Sequence, residues 1–265
     1  MASSDAAALI PPFAGVERGL GRSLRDYLSM LRWHLAGIRL WIMLLSAVQV
    51  LAGVGFVLGI SLFFRHIPTS AALFVSTGVP VINLLLVGLV FGPQVVAMQK
   101  NAGNYEYTRT LPVNRAVNAA AWATVCLAAG LPAMVISLVV AELRYGLDLQ
   151  ISPMIVPAVL LTSFAGTMIG YAIAHAIGNP MATQLISQLI VFVIFGFAPI
   201  LYPISQMPGW LATLNWWFPF RQMAVMVRAA LTPMPGSPVG TAYLVVGVWA
   251  VVSAGLAAWA LGRRQ

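Results

Sequence analysis

Charge is what this sequence has least of. Only 8% of its 265 residues are Asp, Glu, Lys or Arg, whereas a soluble domain covers its surface with about a quarter. A water-soluble globule is thereby excluded. The six acidic residues, Asp5, Glu17, Asp26, Glu106, Glu142 and Asp148, all fall outside the long apolar runs. That argues against a proton- or sodium-driven carrier, which would place carboxylates at membrane depth. Lys100 is the single lysine and follows Gln99, so the phosphate cradle G-x-x-x-x-G-K-[ST] is missing and ATP cannot be held that way. No H-E-x-x-H, C-x-x-C or G-x-S-x-G occurs either, which leaves no metal-ligand or nucleophile constellation. The one cysteine, Cys126, has no mate for an intrachain disulfide. Residues 1–15 carry no lysine or arginine, and the first long apolar run starts near Leu40, so no cleaved signal peptide is expected.

Apolar side chains are what the sequence has in quantity: 60% of residues, with a mean hydropathy of +0.91. Arg39 and Arg65 bracket a charge-free run that, at about 1.5 Å per residue, covers a hydrocarbon core of roughly 30 Å. Further spans are expected at 69–98, 116–141, 153–177, 181–202 and 239–261. The fourth and fifth are separated by Gly178, Asn179 and Pro180, a strong turn signal. An even number of spans puts both termini on one side. That side carries Arg18, Arg22, Arg25, Arg32, Arg39, Lys100, Arg109, Arg115, Arg263 and Arg264; the other has only Arg65, Arg144, Arg221 and Arg228. The richer side is the cytoplasmic one, so the expectation is a multi-pass protein of the cell membrane with both ends inside. The net charge of +8 is explained by this rule and calls for no nucleic-acid partner.

Three segments do not fit a simple span. Residues 16–38 follow a flexible tail (1–15) and repeat with helical period, with Leu20, Leu24, Tyr27, Leu28, Leu31, Leu35 and Ile38 in one stripe and Arg18, Arg22, Arg25 and Arg32 beside it. This suits an amphipathic helix lying in the inner interface. A soluble helix packed on other protein is the competing reading, and the direct run into span one favours the interface. The loop 99–115 is the longest polar stretch expected inside, long enough for a short helix over Asn104 to Thr110; a solvated linker is the alternative. Residues 203–238 are too apolar for a free loop and too broken by Pro199, Pro203, Pro208 and Pro219 to cross. A re-entrant helical hairpin from the outside satisfies both facts, because broken backbone at depth is tolerated where protein covers it. Trp210, Trp216 and Trp217 would then lie at headgroup level. A seventh crossing would instead put Arg263 and Arg264 outside, against the charge rule. His175 is the one imidazole at depth and reads as a packing histidine near the inner end of its span.

At the two loops the sequence resembles the permease subunits of the ABC-2 exporters of drugs, polysaccharides and lipids. In that family the inner loop often reads Glu-Arg-Glu-x-Gly-Thr-x-Glu. Here 99–106 match it at Gly103 and Glu106, with Lys100 a conservative change and Gln99 and Asn101 in place of acids; Leu111, Pro112 and Arg115 fit the tail. The outer loop is similar to the family's Met-Pro-x-Trp-Leu signature, through Pro203, Met207, Pro208, Trp210 and Leu211, followed by Pro219 and Arg228.

The resemblance implies an all-α integral membrane domain over 39–265 with six helices, a coupling helix in 99–115 and a hairpin gate in 203–238. It implies that Lys100, Gly103, Tyr105, Glu106, Arg109, Pro112 and Arg115 contact a separate ATPase. Pro199, Pro203, Met207, Pro208, Trp210 and Pro219 would shape the outer gate. A second permease subunit, the same or different, would complete the path, and ATP and magnesium would be bound by the ATPase, leaving this chain without a cofactor. The cargo would be amphipathic, a drug, lipid-like or glycan-linked molecule, with Asn83, Gln94, His175 and Gln188 as candidate polar contacts, although polar residues in spans often bond neighbouring helices instead. A membrane scaffold without transport, or an ion-coupled carrier, are the rival readings.

Overall fold

The structure is a computed structural model that describes residues 20–63, 68–103, 113–232 and 238–262. Among these residues every regular element is helical. Helix α1 spans Leu20–Phe63, α2 Thr69–Leu86, α3 Gly92–Asn101, α4 Arg115–Tyr145, α5 Ile155–Ala176, α6 Pro180–Phe197, α7 Gly209–Trp217, α8 Pro219–Leu231 and α9 Val239–Gly262. A π-turn, Val87–Phe91, joins α2 to α3 in one rod of 33 residues, Thr69–Asn101. Counting that rod once, six helices are long and apolar enough to cross a membrane. The protein is a multi-pass membrane protein, as its composition demands. Leu51, Leu62 and Phe192 are each more than two-thirds exposed, which water would not tolerate in such number but lipid does. One end of the bundle, called the near end below, carries the 101–115 and 176–180 connections; the far end carries 64–68, 146–154, 198–208 and 232–238.

Local chemistry explains most boundaries. Ile38 has non-helical angles (φ −128°, ψ 19°), so α1 is two helices meeting at a kink. Tyr27 Oη lies 2.7 Å from Thr124 Oγ1, and His34 Nε2 lies 2.9 Å from Asn118 Oδ1. The first part of α1 therefore rests on α4 through Tyr27, Met30 and His34, while Leu24, Leu28 and Leu35 stay exposed. Asn114 caps α4 by accepting from Ala116 N, and Gly146, at φ +60°, ends it in the left-handed conformation that L residues avoid. Asn179 caps α6 by accepting from Met181 N and Ala182 N, with Pro180 at the first position. Helix α6 stops at Phe197, five residues short of the expected end at Tyr202. Ala198, before Pro199, is forced into extended geometry (φ −95°, ψ 127°).

The bundle is organised around the α2–α3 rod, the most buried of the six candidate spans. It crosses α5 with almost no side chain between the backbones. A Cβ added at Gly88 would lie 2.7 Å from Thr167 N, and one at Gly170 would run into the Gly88 carbonyl oxygen. Gly166 and Gly170 form a small-x-x-x-small pair on α5, the pattern that lets membrane helices pack by backbone contact. Helices α1 and α4 run parallel: Ser46 Oγ donates to Ala129 O at 3.0 Å, and Tyr145 Oη donates to Val57 O at 2.8 Å. At the third crossing, α1 on α2, Gly53 faces Asn83, whose Nδ2 would be 2.7 Å from a Cβ there.

Gly170→Ala should destabilise the purified protein by roughly 1–3 kcal/mol through overpacking, even though alanine is the better helix former by about 1 kcal/mol. Gly247→Ala, where a Cβ meets nothing within 4 Å, should be neutral or mildly stabilising. Thermal unfolding in detergent micelles compares the two; equal behaviour would refute the close crossing.

Candidate translocation path and far-end gate

Prolines at 199, 203, 208 and 219 free backbone carbonyls that a continuous helix would have paired. Carbonyls shielded from water need other donors, and side chains of α7, α8 and α9 supply them. Asn215 Nδ2 donates to Phe197 O at 2.9 Å, the exposed end of α6. Gln222 Nε2 donates to Trp216 O at 2.9 Å and Trp249 Nε1 to Trp217 O at 2.8 Å, both at the end of α7. Trp249 lies ten residues into α9, so the turn between α7 and α8 sits roughly 15 Å along that helix from its far-end start. Helix α8 then runs back to the far end, where Leu231 O accepts from Gln150 N at 3.0 Å and Ala230 O from Ser152 N at 2.8 Å. Of the thirteen residues of α8, eleven are buried.

Arg228 is the strongest of these donors and is only 5% exposed. Its Nε donates to Thr77 Oγ1 at 2.8 Å, and its Nη2 donates to Ile200 O at 2.6 Å and to Phe74 O at 3.4 Å. The guanidinium also lies 4.0 Å from the centroid of the Phe74 ring, a geometry that stabilises a desolvated cation. Thr77 is held for this task by donating its own hydroxyl proton to Leu73 O at 2.7 Å. Gly78 leaves room for the Ile200 carbonyl, since a Cβ there would be 2.5 Å from that oxygen. One side chain thus fastens α8, the proline turn and α2 together through neutral oxygens.

The expected gate residues differ in burial. Pro199 and Pro219 are buried, Pro203 and Met207 half-buried, and Pro208 exposed. Trp210 is 67% exposed, and Trp216 and Trp217 also face outward. In the sequence Arg228 stood out as a far-end cation and as the tail of the outer-loop resemblance, but no periodicity marked it as buried. The α5 glycine pair carried a signal, its spacing of four, that hydropathy alone passes over.

Of the expected coupling residues, Tyr105, Glu106, Arg109 and Pro112 lie outside the described residues, as does the helix expected over 104–110. Lys100 donates from Nζ to Ala174 O and, at 2.7 Å, to Ile177 O. It thereby ties the near end of α3 to the last carbonyls of α5, where a cation also complements the helix dipole. Gly103 follows at φ +74° and ends α3, its N–H donating to Lys100 O. Arg115 opens α4 and is exposed.

The four polar residues at depth do not converge. Asn83 donates to Ala133 O at 3.2 Å and Ser137 Oγ at 3.3 Å, bonding α2 to α4. His175 is buried, with Nδ1 2.8 Å from Tyr171 O and its ring tilted 40° to that of Tyr171, centroids 3.9 Å apart. Gln188 is exposed on α6. Gln94 lines a cavity. It is a half-open space of about 680 Å³ between the kink of α1 and the near-end half of the α2–α3 rod, walled also by Trp33, His34, Trp41 and Gln99. Apart from His34 its lining holds no ionisable side chain, and its size suits a drug-sized amphiphile.

Residues 68–259 match the family described as ABC-2 family transporter protein. The match covers more than half of the chain and includes both the Arg228 clamp and Lys100. No curated protein matches the sequence.

Arg228→Gln should lower stability by about 1–3 kcal/mol for each carbonyl left without a donor, and Arg228→Lys should recover only part, since an ammonium lacks the guanidinium fork. Thr77→Val should cost about 1 kcal/mol. A double-mutant cycle on thermal unfolding in detergent reads the coupling; strict additivity would contradict the clamp.

Proposed function

Since the chain belongs to the ABC-2 transporter family, we propose that it is the permease subunit of an exporter driven by a separate ATPase, moving an amphipathic cargo outward. The sequence contains no G-x-x-x-x-G-K-[ST] cradle, and ATP binding is assigned to a separate subunit. The observation that carries the reading is the unbroken α2–α3 rod. At the far end it is clamped to the α7–α8 pair by Arg228. At the near end it is pinned to α5 by Lys100 and leads directly into the 99–115 segment. A push on that segment would travel along one rigid element to the gate.

In this reading the near end is cytoplasmic, following the arginine and lysine distribution. The α7–α8 pair is a re-entrant hairpin entering from the outside, supported by its two short helices and the turn beside the middle of α9. The cavity beside Gln94 receives cargo from the inner leaflet, with indole, imidazole and carboxamide groups for an uncharged or weakly polar head. Tyr105, Glu106 and Arg109 contact the ATPase, which alone binds ATP and magnesium. A second permease copy or a related chain completes the path, consistent with the largely exposed faces of α1, α6 and α9.

Coexpression with the ATPase subunit, followed by cargo-stimulated ATP hydrolysis and export from inverted vesicles, tests the proposal. Replacing Glu106 or Tyr105 should leave membrane insertion intact while separating hydrolysis from export, and full transport by a chain lacking 103–110 would count decisively against it. A cysteine at Trp210 should label from outside intact cells; labelling only from the cytoplasm would reverse the orientation.

A further inference from the structure

The α7–α8 turn holds a second arginine that the clamp does not use. Arg221 is the third residue of α8 and only 9% exposed. Its guanidinium lies 4.3 Å from the centroid of the Trp216 ring at the end of α7. Its Nη1 is buried and makes no hydrogen bond. A buried guanidinium N–H without an acceptor is costly, more so than a neutral donor. The Trp216 face attracts the cation, but the rest of the surroundings add positive potential. Arg228 is two turns further along the same face of α8, and the amino end of α8, which has no side-chain cap, contributes the positive end of its dipole. The helices packed on α8, namely α2, α5, α7 and α9, contain no Asp or Glu. The carboxylate of Asp148 belongs to the far-end loop near the opposite terminus of α8.

An unpaired guanidinium, a helix amino terminus and, among the described residues, no carboxylate on the helices packed against it describe a receptor for an oxyanion. The apolar half of the ligand has a surface as well. Trp216, Trp217 and Phe218 border the turn and are 42%, 74% and 37% exposed. We propose that the α7–α8 turn binds the phosphate group of an anionic amphiphile, with the head on the Arg221 guanidinium and the backbone N–H groups of Phe220 and Arg221, which follow Pro219 at the start of α8, and the tail along these aromatic rings. The site is separate from the near-end cavity beside Gln94, whose lining carries no arginine or lysine. It does not depend on the transport reading, because binding needs neither the ATPase nor a cargo cycle.

The test uses the full chain purified in neutral detergent, with native mass spectrometry and thermal unfolding as readouts. Short-chain phosphatidylglycerol, phosphatidylcholine and inorganic phosphate are titrated separately. Phosphatidylglycerol should bind roughly tenfold or more tightly than phosphatidylcholine and raise the unfolding temperature, and Arg221→Gln should abolish that preference. Where Arg221→Gln does not yield folded protein, Arg221→Lys, which keeps the charge and loses the fork, should weaken phosphatidylglycerol binding by a similar factor. Equal binding of the two lipids, or unchanged preference in the folded Arg221 variant, would overturn the site. Arg221-dependent stabilisation by inorganic phosphate as large as that by phosphatidylglycerol would reject the lipid as its source.

Discussion

A carbonyl oxygen in a membrane interior has no water to turn to, and that constraint organises this protein. Breaks in its helices release carbonyls, and at several of them a side-chain donor is waiting: Arg228 for Ile200, Asn215 for Phe197, Gln222 for Trp216, Trp249 for Trp217, Lys100 for Ala174 and Ile177. These donors come from a different helix, or from across a proline turn, so satisfying a break also joins elements. The irregular segments are therefore among the most tightly fastened parts of the bundle.

The same logic accounts for the charge of the clamp. A carboxylate beside Arg228 would make a buried ion pair, whose desolvation can outweigh its attraction. Neutral carbonyls and the Phe74 ring accept the guanidinium without burying a second charge. The helices packed on α8, namely α2, α5, α7 and α9, likewise hold no Asp or Glu. Rigidity is supplied elsewhere, by the backbone contact of Gly88 with Gly170 at the π-turn. That contact fixes the α2–α3 rod against α5 without a side chain able to change rotamer.

Several features were legible residue by residue. The turn at Asn179 and Pro180, the six apolar runs and the breaks at Pro199 and Pro208 follow from capping, length and proline chemistry, which act within a few residues. The end of α6 was misjudged because hydropathy continues through Leu201 and Tyr202 while the backbone has already turned at Ala198. The roles of Asn83 and Gln94 could not be separated in the sequence: both are amides in apolar helices, and only the neighbours differ, Ser137 and a helix carbonyl for one, an open cavity for the other.

The sequence by itself determined that this chain is a membrane bundle of six spans, because burial of apolar length is a local property that each run expresses alone. It also carried the family resemblance, in short loops with characteristic prolines. Only the tertiary structure decided that Arg228, a residue with no helical neighbour of opposite charge, closes on Thr77 and Ile200, more than a hundred and fewer than thirty positions away respectively. Hydrogen bonds of that kind depend on where separate helices meet, and no periodicity along the chain encodes the meeting point.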